Sequence, residues 1–135
     1  MIILFDLNIM VDIALRWQSF PASLTLYTQV LRSPLHMGAL AACGYTTLYY
    51  LLRQQLSAED ARAILDYFRR RCPLLPFTNR MAQTAHRLAM PDFEDACVAI
   101  TAYEGQCDLI ATRNVRDFQG SPIPAKRPED ILPLL

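Results

Sequence analysis

Apolar residues run without a break from Ile2 to Phe5, stop at Asp6, and resume with helical spacing after Asn8. A short unbroken run of β-formers reads as a buried strand. Asn8 supplies the cap for a helix reaching about Arg16, with Ile9, Val11, Ile13, Ala14 and Leu15 as its apolar side. Phe20-Pro21 reopens the chain before helical spacing over residues 22–31, and Ser33-Pro34 ends it. Residues 35–41 predict a second strand, and residues 45–53 a helix that is apolar on nearly every face, which suits a buried helix or one facing a partner. Ser57 with Asp60 marks the start of a helix to about Arg70. Residues 72–77 carry Pro73 and Pro76 at positions that only an edge or very short strand tolerates. Then come an amphipathic helix over 78–89, a helix over 92–104 ended by Gly105, and a strand over 108–112. A tight turn at 114–118, a short strand at 123–125 and a terminal helical turn over 128–135 complete the pattern. Strand and helix alternate throughout, which predicts right-handed crossovers and an α/β fold, a three-layer α/β/α sandwich around a mostly parallel sheet of about four to five strands.

Composition narrows the picture. A chain of 135 residues with 53% hydrophobic content is long enough for one substantial core and too apolar for disorder. No apolar stretch approaches a membrane span, and Ile2–Phe5 is too short for a signal-peptide core, so the expected location is the cytoplasm, with no membrane partner. Cys43, Cys72, Cys97 and Cys107 form no C-x-x-C pair, and with His36 and His86 they offer no zinc-type cluster. Net charge is zero, so no global field draws the chain to nucleic acid. All but one of the 13 cations are arginine, Lys126 being the exception; arginine suits bidentate phosphate contacts, and a coding bias would give the same count.

The candidate chemistry is acidic. Asp6 ends a buried strand, where ligands of open α/β sheets bind. Two further acidic groupings follow, Asp92-Phe93-Glu94-Asp95 and Thr112-Arg113-Asn114-Val115-Arg116-Asp117-Phe118. Each has an ordinary structural role open to it: Asp92 as a helix cap with Asp95 in the first turn, Asp117 and Asn114 as turn formers. Asp108 precedes its strand and belongs to the opposite rim, while Asp12, Asp60 and Asp66 read as solvated helix residues. If the three acidic places converge, their carboxylates repel unless a cation or a proton intervenes. Oxygen ligands without paired cysteine or histidine select magnesium or manganese, and magnesium favours phosphate-bearing substrates. Asp6 and these two acidic groupings are therefore the candidate metal-binding places, with Arg113 and Arg116 flanking the third corner as candidate phosphate contacts.

These segments, in this order, resemble the PIN-domain family, in particular its bacterial VapC-like toxin ribonucleases. The matching pieces are residues 3–12, 92–96 and 109–118, with Pro128-Glu129-Asp130-Ile131-Leu132 resembling the family's terminal helix, so that the likeness spans 1–135 as a single PIN-like domain. The resemblance implies a magnesium- or manganese-dependent endoribonuclease acting on RNA and leaving 5′-phosphate and 3′-hydroxyl ends. It implies that Asp6 and Asp95 bind metal and that Asn114 and Asp117 form the third acidic corner. Thr112 and Asn8 would orient water or the first carboxylate, and Asp92 would be an auxiliary acid. It also implies a small antitoxin partner or a homodimer, for which the apolar segment from Tyr45 to Leu52 is the candidate surface.

One departure stands out. The family usually carries a glutamate at the start of the helix after strand two, where this chain has Thr46-Thr47, and no acid occurs between Asp12 and Glu59. The alternative expectation is thus a catalytically impaired PIN-like module that binds RNA or protein. A phosphoacceptor receiver domain, suggested by Thr112 and Lys126-Arg127-Pro128, is excluded because residues 72–77 hold no acceptor aspartate.

Overall fold

Alternation along β1 (Ile2–Phe5) decides how the layers form: Ile3 and Phe5 point to one core and Leu4 to another. The same parity recurs in β2 (Met37–Ala41), with Leu40 on the first face and Ala41 on the second, and in β4 (Leu109–Ala111), with Leu109 and Ala111 opposing Ile110. In the computed structural model, which describes residues 1–135, both sheet faces are therefore apolar and both are covered by helices. That is the condition for an all-parallel sheet.

Five strands line up in the order β3-β2-β1-β4-β5, and every pairing is parallel. Here β3 is Leu74–Leu75 and β5 is Ala125–Lys126. On the first face lie α1 (Leu7–Leu15), α2 (Pro21–Arg32), α3 (Ala42–Arg53), α4 (Ala58–Arg71) and α7 (Pro128–Ile131), which bury Ile9, Leu26, Leu48, Leu65 and Ile131 respectively. On the second, α6 (Phe93–Glu104) buries Val98, Ala99 and Ala102 against Leu4 and Ile110, with α5 (Asn79–Ala85) packed outside it through Met81 and Ala85.

The α/β class and parallel sheet match the sequence pattern. Local differences have local causes. The cap of α1 is Asp6, not Asn8: Asp6 takes extended backbone angles and its side chain accepts from Leu7 N at 2.8 Å. Helix α3 begins at Ala42, directly on the end of β2, and Gly44 allows this abrupt junction because a Cβ there would meet Leu7 Cδ2 at 3.0 Å. Helix α5 stops at Ala85, short of residue 89; the next amides make i→i−3 bonds to Thr84 and Ala85 as the chain approaches Pro91. The last strand shifts to Ala125–Lys126 because Pro122 and Pro124 have no N–H to give a ladder. Pro73 and Pro76 bracket the two-residue β3 at the sheet edge. No helix is long and apolar enough to cross a membrane.

Strand β1 lies between β2 and β4, so successive connections leave it in opposite directions. The crevice beyond the C-terminal ends of β1 and β4 is the topological switch point, where open α/β sheets bind ligands.

Candidate active site at the switch point

Asp6 follows β1 and Thr112 follows β4, so the parallel pairing of these strands sets the two residues side by side; Asp6 N continues the ladder by donating to Ala111 O at 3.0 Å. Asp6 is 7% exposed. Its Oδ1 accepts from Leu7 N, and its Oδ2 accepts from Thr112 Oγ1 at 2.7 Å and Asn8 Nδ2 at 2.8 Å. Asn8 also donates to Thr112 Oγ1 at 3.0 Å and accepts from Arg113 N at 3.1 Å. Thr112 Oγ1 in turn accepts from Asn114 N at 3.1 Å. The polar residues after two central strands thus form one network around a single carboxylate, which fixes its orientation.

The other acids arrive from the second face. Asp92 caps α6, its side chain accepting from Asp95 N at 2.9 Å, and this aims the first turn of α6 at the crevice. Asp117 comes from the 3₁₀ turn Val115–Phe118, anchored by buried Phe118. Asp6, Glu94, Asp95 and Asp117 line one pocket of about 260 Å³, with Asn8, Asn114, Arg16, Arg113, Gln54 and Gln55 among the other walls. The three acidic segments therefore share a crevice. Asp92 does not line it; its side chain is occupied as a cap, and Glu94 stands there instead. No pattern in the sequence favoured Glu94 over Asp92, since only the exact start of α6 decides which side chain turns inward.

Electrostatics bear the crowding out. The Asp95 carboxyl is pushed up to about 7 by burial first, then by repulsion from Asp6, Asp92, Asp117 and Glu94. Asp6 is raised chiefly by burial, against the Thr112 and Leu7 hydrogen bonds, with Glu94 and Asp117 adding repulsion. Pocket cations Arg16 and Arg113 do not offset this, and Arg113 is already paired with Asp12. As they stand, no three His, Cys, Asp or Glu side chains are close enough to share one metal ion. The donor set is all oxygen and gathered in one crevice, which in its chemistry suits a hard divalent ion.

The α3 corner supplies no acid. Gly44, Tyr45 and Leu48 meet Asp6 in an apolar hollow of about 10 Å³, Leu51 lines the main pocket, and Thr46 and Thr47 line neither. The tyrosine-bearing side of α3 looks elsewhere: Tyr50 is 70% exposed, and Tyr45, Tyr49 and Tyr50 line a surface hollow with Arg62 and Leu65. Only Gly44, Leu48 and Leu52 of this helix are buried, so it is two-sided rather than buried all round.

One other residue departs from expectation. Asp12 is buried, not solvated, because α2 folds over α1 and places Ser23 against it. Arg113 faces both the pocket and Asp12, and Arg116 lines an adjoining hollow instead of the acidic one. Asp108 lies at the opposite rim as expected, accepting from Ile2 N at 2.7 Å.

A family model described as PIN domain matches residues 2–116. Among solved structures, the chain is similar to one from VapBC2 of Rickettsia felis, crystallised with a DNA fragment from the promoter, at TM-score 0.75 and 16% identity over 94% of this chain and 98% of that one. It is also similar to a chain of VapBC-1 from nontypeable Haemophilus influenzae, at TM-score 0.72 and 17% identity over 96% and 99%. A chain of FitAcB from Neisseria gonorrhoeae gives TM-score 0.71 and 20% identity over 94% and 98%. No protein of curated function matches the sequence significantly.

Proposed function

The chain belongs to the PIN-domain family, and from that premise we propose that it is a magnesium- or manganese-dependent endoribonuclease, the toxin of a toxin–antitoxin pair. One observation carries the proposal: Asp6, Asp95 and Asp117, from three distant segments, line a single crevice at the switch point, where burial first and acidic neighbours second lift Asp95 to about 7. In this reading Asp6, Asp95 and Asp117 hold the ion, with Glu94 beside them. When bound, it supplies charge neutralisation at the phosphodiester oxygens and a more acidic water for in-line attack. The chain's own contribution is positional. Thr112 and Asn8 hold the Asp6 carboxylate in one orientation, Asn114 ties the third corner to Thr112, and Asp95, raised by burial and its acidic neighbours, would hold its proton less tightly beside a cation. Arg113 and Arg116 stand at the crevice and its adjoining hollow as contacts for neighbouring phosphates.

The toxin assignment is supported by the fold shared with chains of the VapBC and FitAcB complexes. A small antitoxin is the proposed partner, a homodimer the proposed assembly, and the tyrosine side of α3 the proposed surface. The test is direct. Purified protein should cut RNA with magnesium or manganese, stop with EDTA, and arrest growth unless a short antitoxin from a neighbouring gene is co-expressed. Failure to cut any RNA with either metal would sink the enzyme reading.

A second reading follows from the acid-free α3 corner and the unshared carboxylates: a PIN-like module that binds RNA or protein without catalysis. Calorimetry with manganese separates the two, because the module requires no heat of binding at millimolar metal.

A further inference from the structure

Asp12 belongs to none of the acidic segments, yet it is 0% exposed. Its Oδ2 accepts from Ser23 Oγ of α2 at 3.1 Å and from Arg113 Nε, beyond β4, at 2.7 Å, while its Oδ1 has no partner. A buried ion pair is a poor stabiliser compared with packed apolar side chains, so its value here is sought in what it orients.

Arg113 is held at three points. Its backbone N–H donates to Asn8 Oδ1, its Nε to Asp12, and its guanidinium lies 4.0 Å over the Phe20 ring. None of these uses the two terminal amines, which have no protein acceptor, and the side chain is 29% exposed. Asn8 also binds Asp6, so the cation and the principal carboxylate are kept in fixed register. Arg113 lines the acidic pocket and also the adjoining hollow of about 490 Å³, whose walls include Arg116 and Arg127 with Asp117 as the single acid. A planar fork held rigid on one edge and free on the other is preorganised for an oxyanion.

We infer that Asp12 is a positioning residue for phosphate binding: it presets Arg113 to receive one RNA backbone phosphate where the acidic pocket opens into the Arg116–Arg127 hollow. The identity of that phosphate rests on the ribonuclease reading above. The probe is a fluorescein-labelled single-stranded RNA bound by the full chain in EDTA, where nothing is cut, with anisotropy followed across salt concentrations. Asp12→Asn and Arg113→Lys should each weaken binding about ten- to a hundredfold, as expected for loss of a hydrogen bond to a charged group. Asp12→Asn should also flatten the salt dependence by about 0.7 in log–log slope, the loss of one phosphate contact, whereas Arg113→Lys, which keeps the charge, should leave the slope as in the wild type. A purely structural Asp12 would lower the melting temperature and leave that slope unchanged, which would overturn the inference. Arg113→Gln removes the charge from a partly exposed side chain, should flatten the slope by the same amount, and serves if Asp12→Asn does not fold. A second readout needs no RNA: inorganic phosphate should shift the Arg113 Nε–H resonance in the wild type and not in Asp12→Asn. If the wild type ignores RNA but shows that shift, the subsite stands and the ribonuclease reading falls. If phosphate leaves the resonance unmoved in the wild type, the subsite falls.

Discussion

The two halves of the crevice carry the same functional group and are held in opposite ways. At the ends of β1 and β4, Asp6 accepts from Leu7, Asn8 and Thr112, and the network is complete without any ion. Across the crevice, Asp95 has no hydrogen bond to offset its burial and faces repulsion from four other acids, while Glu94 and Asp117 stand exposed. One half is preorganised by neutral donors; the other has its like charge uncompensated. Carboxylates that share one crevice can thus be fixed by neutral donors on one side and left with uncompensated repulsion on the other.

The largest expected effect comes from breaking the rigid half. Asp6→Asn should reduce magnesium-supported RNA cutting by more than the roughly 10–100-fold typical of losing a residue that merely supports a ligand. Undiminished cutting in a gel assay would remove Asp6 from the site. Thr112→Val comes next. It deletes the donor to Asp6 Oδ2 and the acceptor for Asn8 Nδ2 and Asn114 N, so activity should fall about 10–100-fold. Stability should fall by about 1–3 kcal/mol, read from denaturant unfolding.

The repelled half predicts a pH signature. Asp95 titrates near 7 in the fold against an ordinary value of 3.8, so the folded chain binds more protons between those values. Metal-free protein should therefore lose stability as pH rises from about 4 to about 7, and the loss should level off above that. Magnesium or manganese competes with the proton, so affinity should rise over the same window and then flatten. Melting curves with and without metal, for wild type and Asp95→Asn, test this; a wild type whose metal-free profile matches that of Asp95→Asn would refute it. The smallest effect belongs to Asp92→Ala, which removes a helix cap outside the pocket. It should cost about 1 kcal/mol of stability, with metal affinity within a few-fold of wild type. A collapse of metal binding in that variant would instead make Asp92 a ligand.

The strands and most helices were legible because apolar periodicity and capping chemistry are local: Ile2–Phe5, the Ser57 cap of α4, the Asp92 cap of α6 and the proline-bracketed edge strand all follow from neighbouring residues. The candidate acids were legible for a related reason, since Asp6 and the segments at 92–95 and 112–117 each sit at the end of a periodic run. What sequence alone could not decide was direction and partnership. That Asp6 caps α1 while Asn8 bridges it to Thr112 and Arg113 depends on β1 and β4 being neighbours, more than a hundred residues apart in the chain. That Asp12 is buried rather than solvated depends on α2 closing over α1 and on an arginine arriving from beyond β4. Glu94 enters the crevice and Asp92 does not because α6 docks on the sheet with one particular first turn. Periodicity assigns each residue to an element; only packing, which sets rotation and neighbours together, assigns it a partner.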